Sequence, residues 1–156
     1  MPGTRFDDLF AHYSVISGVP QAVIEAVART ESGLNPNAVG DGGKSIGLFQ
    51  IYEPTARLMG FGGEMTKLLD PEMNTELASR YMARIIFDQG GLNLNRFYSE
   101  YNSGNPNLWE RSTEVFNHVQ NFLANYAKSI SVSDTTSGAF LLVALGLIAR
   151  FFPRRK

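Results

Sequence analysis

Glu31 is the residue whose type and placement point to chemistry. It lies eight residues after Val23 and four after Val27, so it continues the apolar stripe of a helix read over 20–32 and faces the core side. At the last turn it also meets the negative end of the helix macrodipole. Burial and that dipole both disfavour an ionised carboxylate, so its pKa is expected to rise. A carboxyl group still protonated at neutral pH is what a general acid needs to cleave a glycosidic bond. Position alone leaves open the alternative of a solvated helix-end glutamate.

The next polar feature is a glycine-rich stretch. Gly40, Gly42, Gly43 and Gly47 fall within eight residues, which predicts a loop that turns sharply or lets backbone approach a ligand. Gly43-Lys44-Ser45 has the wrong context for a phosphate loop. Gln50 stands among Leu48, Phe49 and Ile51; it is either a hydrogen-bonded core amide or a ligand contact.

Other chemistries are disfavoured by composition. The 156-residue chain has no cysteine and two histidines, His12 and His118, which removes thiolate nucleophiles, disulfides and cysteine metal sites. No metal and no cofactor is expected. Residues 1–137 carry 10 Lys+Arg against 15 Asp+Glu, a net −5; such a body has no basic stripe for a phosphate backbone, so nucleic-acid binding is excluded.

The elements that must position Glu31 are helical. Pro20 opens the first of them and Gly33 stops it. A central helix is read over 71–89, with Asp70 as N-cap, Pro71 in its first turn, and Met73, Leu77, Tyr81 and Ile85 four apart beside Ala78, Met82 and Ile86. Leu94, Phe97, Tyr98 and Tyr101 keep 3-and-4 spacing and face inward, with Asn102 at the edge of that stripe. Val115, Phe116, Val119, Phe122, Leu123 and Tyr126 make a last amphipathic helix over about 112–128. No alternating strand run competes, although 46–52 has room for a short extended piece. The length fits one core, and the fold class is all-α.

Several segments in order then carry a resemblance: Glu31-Ser32-Gly33-Leu34-Asn35-Pro36, Ser45-Ile46-Gly47-Leu48-Phe49-Gln50-Ile51, Leu69-Asp70-Pro71-Glu72-Met73-Asn74 with Tyr81-Met82, and Glu100-Tyr101-Asn102-Ser103-Gly104. Over about residues 10–128 the chain resembles the soluble lytic transglycosylase (SLT) domain family, related in fold to goose-type lysozyme. The resemblance implies a mainly helical, lysozyme-like fold. Glu31 and Ser32 match the catalytic Glu-Ser pair. Ser45, Gly47, Leu48 and Gln50 match the motif lining the sugar cleft, with Phe49 in place of the usual methionine. Tyr101 and Asn102 match the Ala-Tyr-Asn motif, whose tyrosine helps orient the glutamate. Glu100 replaces the alanine of that motif, and Ala78 stands where glycine is usual.

The implied reaction is cleavage of the bond between N-acetylmuramic acid and N-acetylglucosamine in peptidoglycan, ending in a 1,6-anhydromuramoyl group. One confident carboxylate agrees with that route, because ordinary retaining and inverting glycosidases need two. Asp41, Glu53, Asp70 and Glu100 are possible second groups, Asp70 being better explained as a helix cap. A lysozyme-type hydrolase using the same glutamate, and a non-catalytic wall-binding protein, are the alternatives.

The C-terminal end is a different object. Residues 138–149 are all apolar or glycine, followed by Arg150-Phe151-Phe152-Pro153-Arg154-Arg155-Lys156. Through Phe152 this makes about 22 Å of helix, short against a hydrocarbon core of ~30 Å. The reading is a membrane-associated helix, with a buried core helix as the alternative. Three regions are therefore expected: a catalytic domain over 1–128, a Ser/Thr-rich linker over 129–137, and a membrane anchor over 138–156. The first residues lack the apolar core of a secretory signal. The arrangement is similar to wall-degrading proteins carried in bacteriophage particles with an internal membrane; a bacterial envelope enzyme is the runner-up.

Overall fold

The structure is a computed structural model that describes residues 4–133. Six α-helices are found among these: α1 (Asp7–Ser17), α2 (Gln21–Ser32), α3 (Glu53–Leu58), α4 (Pro71–Asp88), α5 (Leu94–Ser103) and α6 (Thr113–Ser133). Three two-residue strands, β1 (Val39–Gly40), β2 (Ser45–Ile46) and β3 (Ile51–Tyr52), form an antiparallel sheet in the order β1-β2-β3. The expected membrane helix over 138–156 lies outside the described residues. Among the described residues no helix is long and apolar enough to cross a membrane.

Helix α2 runs through the centre. Val23, Ile24, Ala26, Val27 and Ala28 are all fully buried, more than one face of a surface helix would bury. It packs on α1 and α6. Its end is a left-handed glycine cap: Gly33, at φ 61°, donates its N–H to Arg29 O (3.1 Å), and Leu34 N–H donates to Ala28 O (3.3 Å). This stop sets where Glu31 leaves the helix and where the chain turns into the sheet.

The central helix is α4. The Asp70 carboxylate accepts from Met73 N–H at 2.9 Å, which satisfies one of the orphan donors of the first turn. Leu77, Ala78, Met82 and Ile85 are buried as the spacing requires. Asn74, Thr75 and Ser79 are buried with them.

One helix runs past its expected end and two others carried no expectation. Helix α6 continues to Ser133, five residues past Lys128 and into the expected linker. Its apolar stripe is extended by Ser129, which is buried and donates to Asn125 O at 3.2 Å. Helix α3 and the first helix, α1, were not signalled by long apolar periodicity; α1 is anchored through Phe6, Phe10 and Tyr13.

Candidate active site

Glu31 sits on the last turn of α2 as a half-buried side chain. It is open enough to be approached, yet its carboxyl is enclosed deeply enough to lose solvation. Desolvation pushes its pKa up to about 7 from an ordinary 4.5, a hydrogen bond from Tyr98 pulls it down, and the negative charge of Asp41 adds a further push upward. The expected rise is present, with burial as its main cause.

The Tyr98 hydroxyl donates to Glu31 Oε1 at 2.7 Å. Tyr98 belongs to α5 and is only 1% exposed. Its ring stacks on Phe122 of α6, 4.5 Å between centroids and 2° between planes. Burial, then the Glu31 charge and the hydrogen bond, keep this phenol protonated by raising its pKa. It is therefore a donor that does not switch with pH.

Tyr101 was the tyrosine expected to orient Glu31, and here the structure differs. Its hydroxyl donates to the Phe49 carbonyl at 3.0 Å. Tyr98 and Tyr101 are three apart on α5 and stack at 6.1 Å, so they share one face a turn apart. Tyr98, stacked on Phe122, reaches Glu31 at the end of α2, while Tyr101 reaches the 47–51 segment. Tyr101 still lies in the field of Glu31, whose charge, after burial, raises its pKa.

The residues expected to line a sugar cleft turn out to build the wall more than to face solvent. Ser45 is 1% exposed and donates to Gln50 Oε1 at 2.8 Å. Gln50 Nε2 donates to Ala38 O (3.1 Å) and Gly47 O (2.8 Å). These bonds hold Gln50 at φ 47°, a left-handed conformation that costs a non-glycine residue about 1 kcal/mol. Gln50 is thus a hydrogen-bonded structural amide. Leu48 is fully buried, and its carbonyl accepts from Ser32 Oγ at 2.8 Å. Asn102 is exposed on the last turn of α5.

Gly47 is required by close packing. A Cβ there would lie 2.4 Å from Leu68 O and 2.5 Å from Asn74 Nδ2, and its φ is 80°. Asn74 is fully buried and fully engaged: Nδ2 donates to Ile46 O (2.9 Å) and Leu68 O (3.0 Å), and Oδ1 accepts from Phe49 N–H (2.9 Å). It ties α4 to β2 and to the segment that follows it. Sequence reasoning assigned Asn74 and Tyr98 no such role. The available signals were a lone amide on the buried stripe of α4 and a second tyrosine three residues before Tyr101.

Among the other carboxylates, Glu100 accepts from Gln89 Nε2 at 2.7 Å, Glu53 pairs with Arg57 at 2.8 Å, and Asp70 caps α4. Among the described residues no group of three or more His, Asp or Glu converges as a metal site. A cavity of about 460 Å³ lies elsewhere, lined by Tyr13, Ile16, Glu76, Ser79 and others of α1 and α4. It shares no residue with the Glu31 cluster and holds no comparable constellation of groups.

The ordered set of Glu31, the hairpin and the paired tyrosines has its counterpart among known proteins. The model of the transglycosylase SLT domain matches residues 8–121. The chain belongs to this family. It is 33% identical over 105 residues to the soluble lytic murein transglycosylase of Escherichia coli K12, covering 64% of this chain and 16% of that protein. It is 36% identical over 73 residues to membrane-bound lytic murein transglycosylase C of Serratia proteamaculans, covering 42% of this chain and 20% of the relative. The crystal structure of the 70 kDa soluble lytic transglycosylase of E. coli superposes with a TM-score of 0.71 at 25% identity, over 83% of this chain and 24% of that one. The complex of the 70 kDa soluble lytic transglycosylase with bulgecin A gives 0.72 at 26% identity, over 83% and 25% of the two chains. This SLT chain thus spans between about a sixth and a quarter of the length of these relatives. Its fold is the mainly helical, lysozyme-like one.

Proposed function

We propose that this chain is a peptidoglycan lytic transglycosylase that cleaves the β-1,4 bond between N-acetylmuramic acid and N-acetylglucosamine. The observation that carries the reading is the Glu31 carboxyl, pushed up to about 7 by burial and held by a neutral tyrosine. It is protonated at the start of the reaction near neutral pH and becomes a base once it has given up its proton.

In the proposed cycle Glu31 donates its proton to the glycosidic oxygen as the bond from C1 breaks and the N-acetylglucosamine side departs. The muramoyl acetamido group stabilises the cationic centre. The C6 hydroxyl of the same muramoyl ring attacks C1, and Glu31 takes its proton, which closes the 1,6-anhydro ring and restores the acid. Proton bookkeeping balances without water or a second protein carboxylate. Tyr98 holds Glu31 Oε1, which leaves Oε2 for the substrate. Tyr101 fixes the Phe49 carbonyl. Ser32, Ser45, Gly47, Leu48 and Gln50 hold the wall in register, and the proposed role of Asn102, exposed on the last turn of α5, is to meet a sugar or acetamido group. Fixed geometry of this kind supplies rate by orientation.

Mass spectrometry of fragments released from purified peptidoglycan tests the reaction class. Fragments one water lighter than hydrolytic muropeptides support the transglycosylase; full-mass reducing ends support a lysozyme-type hydrolase instead.

The apolar, basic-ended composition of residues 138–156 supports a further part of the reading: attachment to a membrane, in a bacteriophage particle with an internal membrane or in a bacterial envelope. Anionic headgroups would favour the terminal Arg154, Arg155 and Lys156. Cosedimentation of the full chain with anionic vesicles, lost on deleting 138–156, is the expected result, and recovery in the supernatant would refute attachment.

A further inference from the structure

The turn that follows β1 carries a second acidic group, Asp41, whose negative charge reaches Glu31. Register pairs Gly40 with Ser45 and Ser45 with Tyr52, so these three positions lie side by side across the three strands. Directly opposed residues point to one face of a sheet. On that face a Cβ at Gly40 would lie 2.5 Å from Gln50 Oε1 and 2.6 Å from Ser45 Oγ, which places the Ser45–Gln50 pair beneath the row. The chain leaves this row at Asp41, the first residue past β1 and at φ 50°, and the Tyr52 hydroxyl donates to Asp41 Oδ2. Asp41 and Tyr52 are both exposed. An exposed carboxylate tethered by an exposed phenol thus sits at the edge of the strands that carry the family's cleft motif.

We propose that Asp41, held by Tyr52, is the second carboxylate of this site, a negative charge facing Glu31 that acts electrostatically on the reaction. The inference rests on the glycosidic reading above. The titratable groups around Glu31 come from two sides: Tyr98 and Tyr101 on α5, and Asp41 in the turn after β1 with Tyr52 on β3. Both phenols on α5 are held neutral by burial and by Glu31 itself, so they contribute dipoles and no charge. Asp41 is the charged member, and its effect on Glu31 is upward, while the charge of Glu31 in turn reaches Tyr52. The consequences are two. Before bond cleavage the Asp41 charge favours the protonated form of Glu31. As positive charge develops on the muramoyl ring, the same carboxylate opposes it with negative potential, an interaction stronger in the transition state than in the ground state.

The test is Asp41→Asn and Tyr52→Phe in the full chain, with kcat, KM and the pH profile measured on solubilised glycan strands. Both positions are exposed, and circular dichroism with a melting curve establishes folding. Asp41→Asn is expected to lower kcat about tenfold with little change in KM and to move the alkaline limb of the profile to lower pH. Tyr52→Phe is expected to lower kcat less and to leave the limb near its wild-type place, because the charge remains. An unchanged kcat and limb in Asp41→Asn, or a loss confined to KM, overturns the proposal. Failure of the underlying reading is distinguishable, since the wild type would then release no glycan fragments dependent on Glu31.

Discussion

Tyr98 Oη donates to Glu31 Oε1 at 2.7 Å across 67 residues of sequence, joining the end of α2 to the middle of α5. The bond opposes the desolvation that raises the Glu31 pKa. Tyr98 therefore does two things at once: it fixes the carboxyl and limits how far its pKa climbs.

Tyr98→Phe should separate these effects. Losing a hydrogen bond to a carboxylate raises the Glu31 pKa further, so the alkaline limb of kcat/KM shifts to higher pH. Loss of positioning lowers kcat roughly tenfold. Tyr101→Phe should lower activity without moving that limb, because its hydroxyl bonds Phe49 O. Paired pH profiles of the two variants check this.

Glu31 should cost the protein stability at high pH. Its folded pKa, about 7, exceeds the ordinary 4.5, so the stability it contributes is fully present below about 4.5 and is lost as pH rises through 7. Glu31→Gln lacks this loss and should be more stable than the wild type at pH 8 by about 3 kcal/mol, with the difference vanishing near pH 4. Melting temperatures of both proteins across that range measure it.

Gly47→Ala and Asn74→Ala should both destabilise the fold. The first puts a methyl against Leu68 O and Asn74 Nδ2 at a left-handed φ, and the second leaves Phe49 N–H, Ile46 O and Leu68 O without their partner. Each should cost about 2–4 kcal/mol in urea denaturation.

Much of this was legible in the sequence because helical periodicity and caps are local signals. The stripes of α2, α4 and α5, the Gly33 stop and the Asp70 cap all emerge from spacing alone. Glu31 stood out because a carboxylate on a valine stripe conflicts with burial. The exchange of roles between Tyr98 and Tyr101 was not legible: both lie on one face, and their hydroxyls find partners 67 and 52 residues away in sequence, on α2 and in the 47–51 segment. Gln50 was open between core amide and ligand contact until the carbonyls of Ala38 and Gly47 came within its reach. The Asp41–Tyr52 tether likewise depends on sheet register, which two-residue strands barely encode.

The central claim is that Glu31 is the acid and base of glycosidic cleavage, and turnover of purified peptidoglycan by Glu31→Gln tests it most directly. A glutamine fits the same space, accepts from Tyr98, and has no proton to give. Folded Glu31→Gln should lose roughly a thousandfold or more of the wild-type rate of fragment release near neutral pH. A variant that is folded and still releases the same fragments within a few-fold of the wild-type rate would contradict the account.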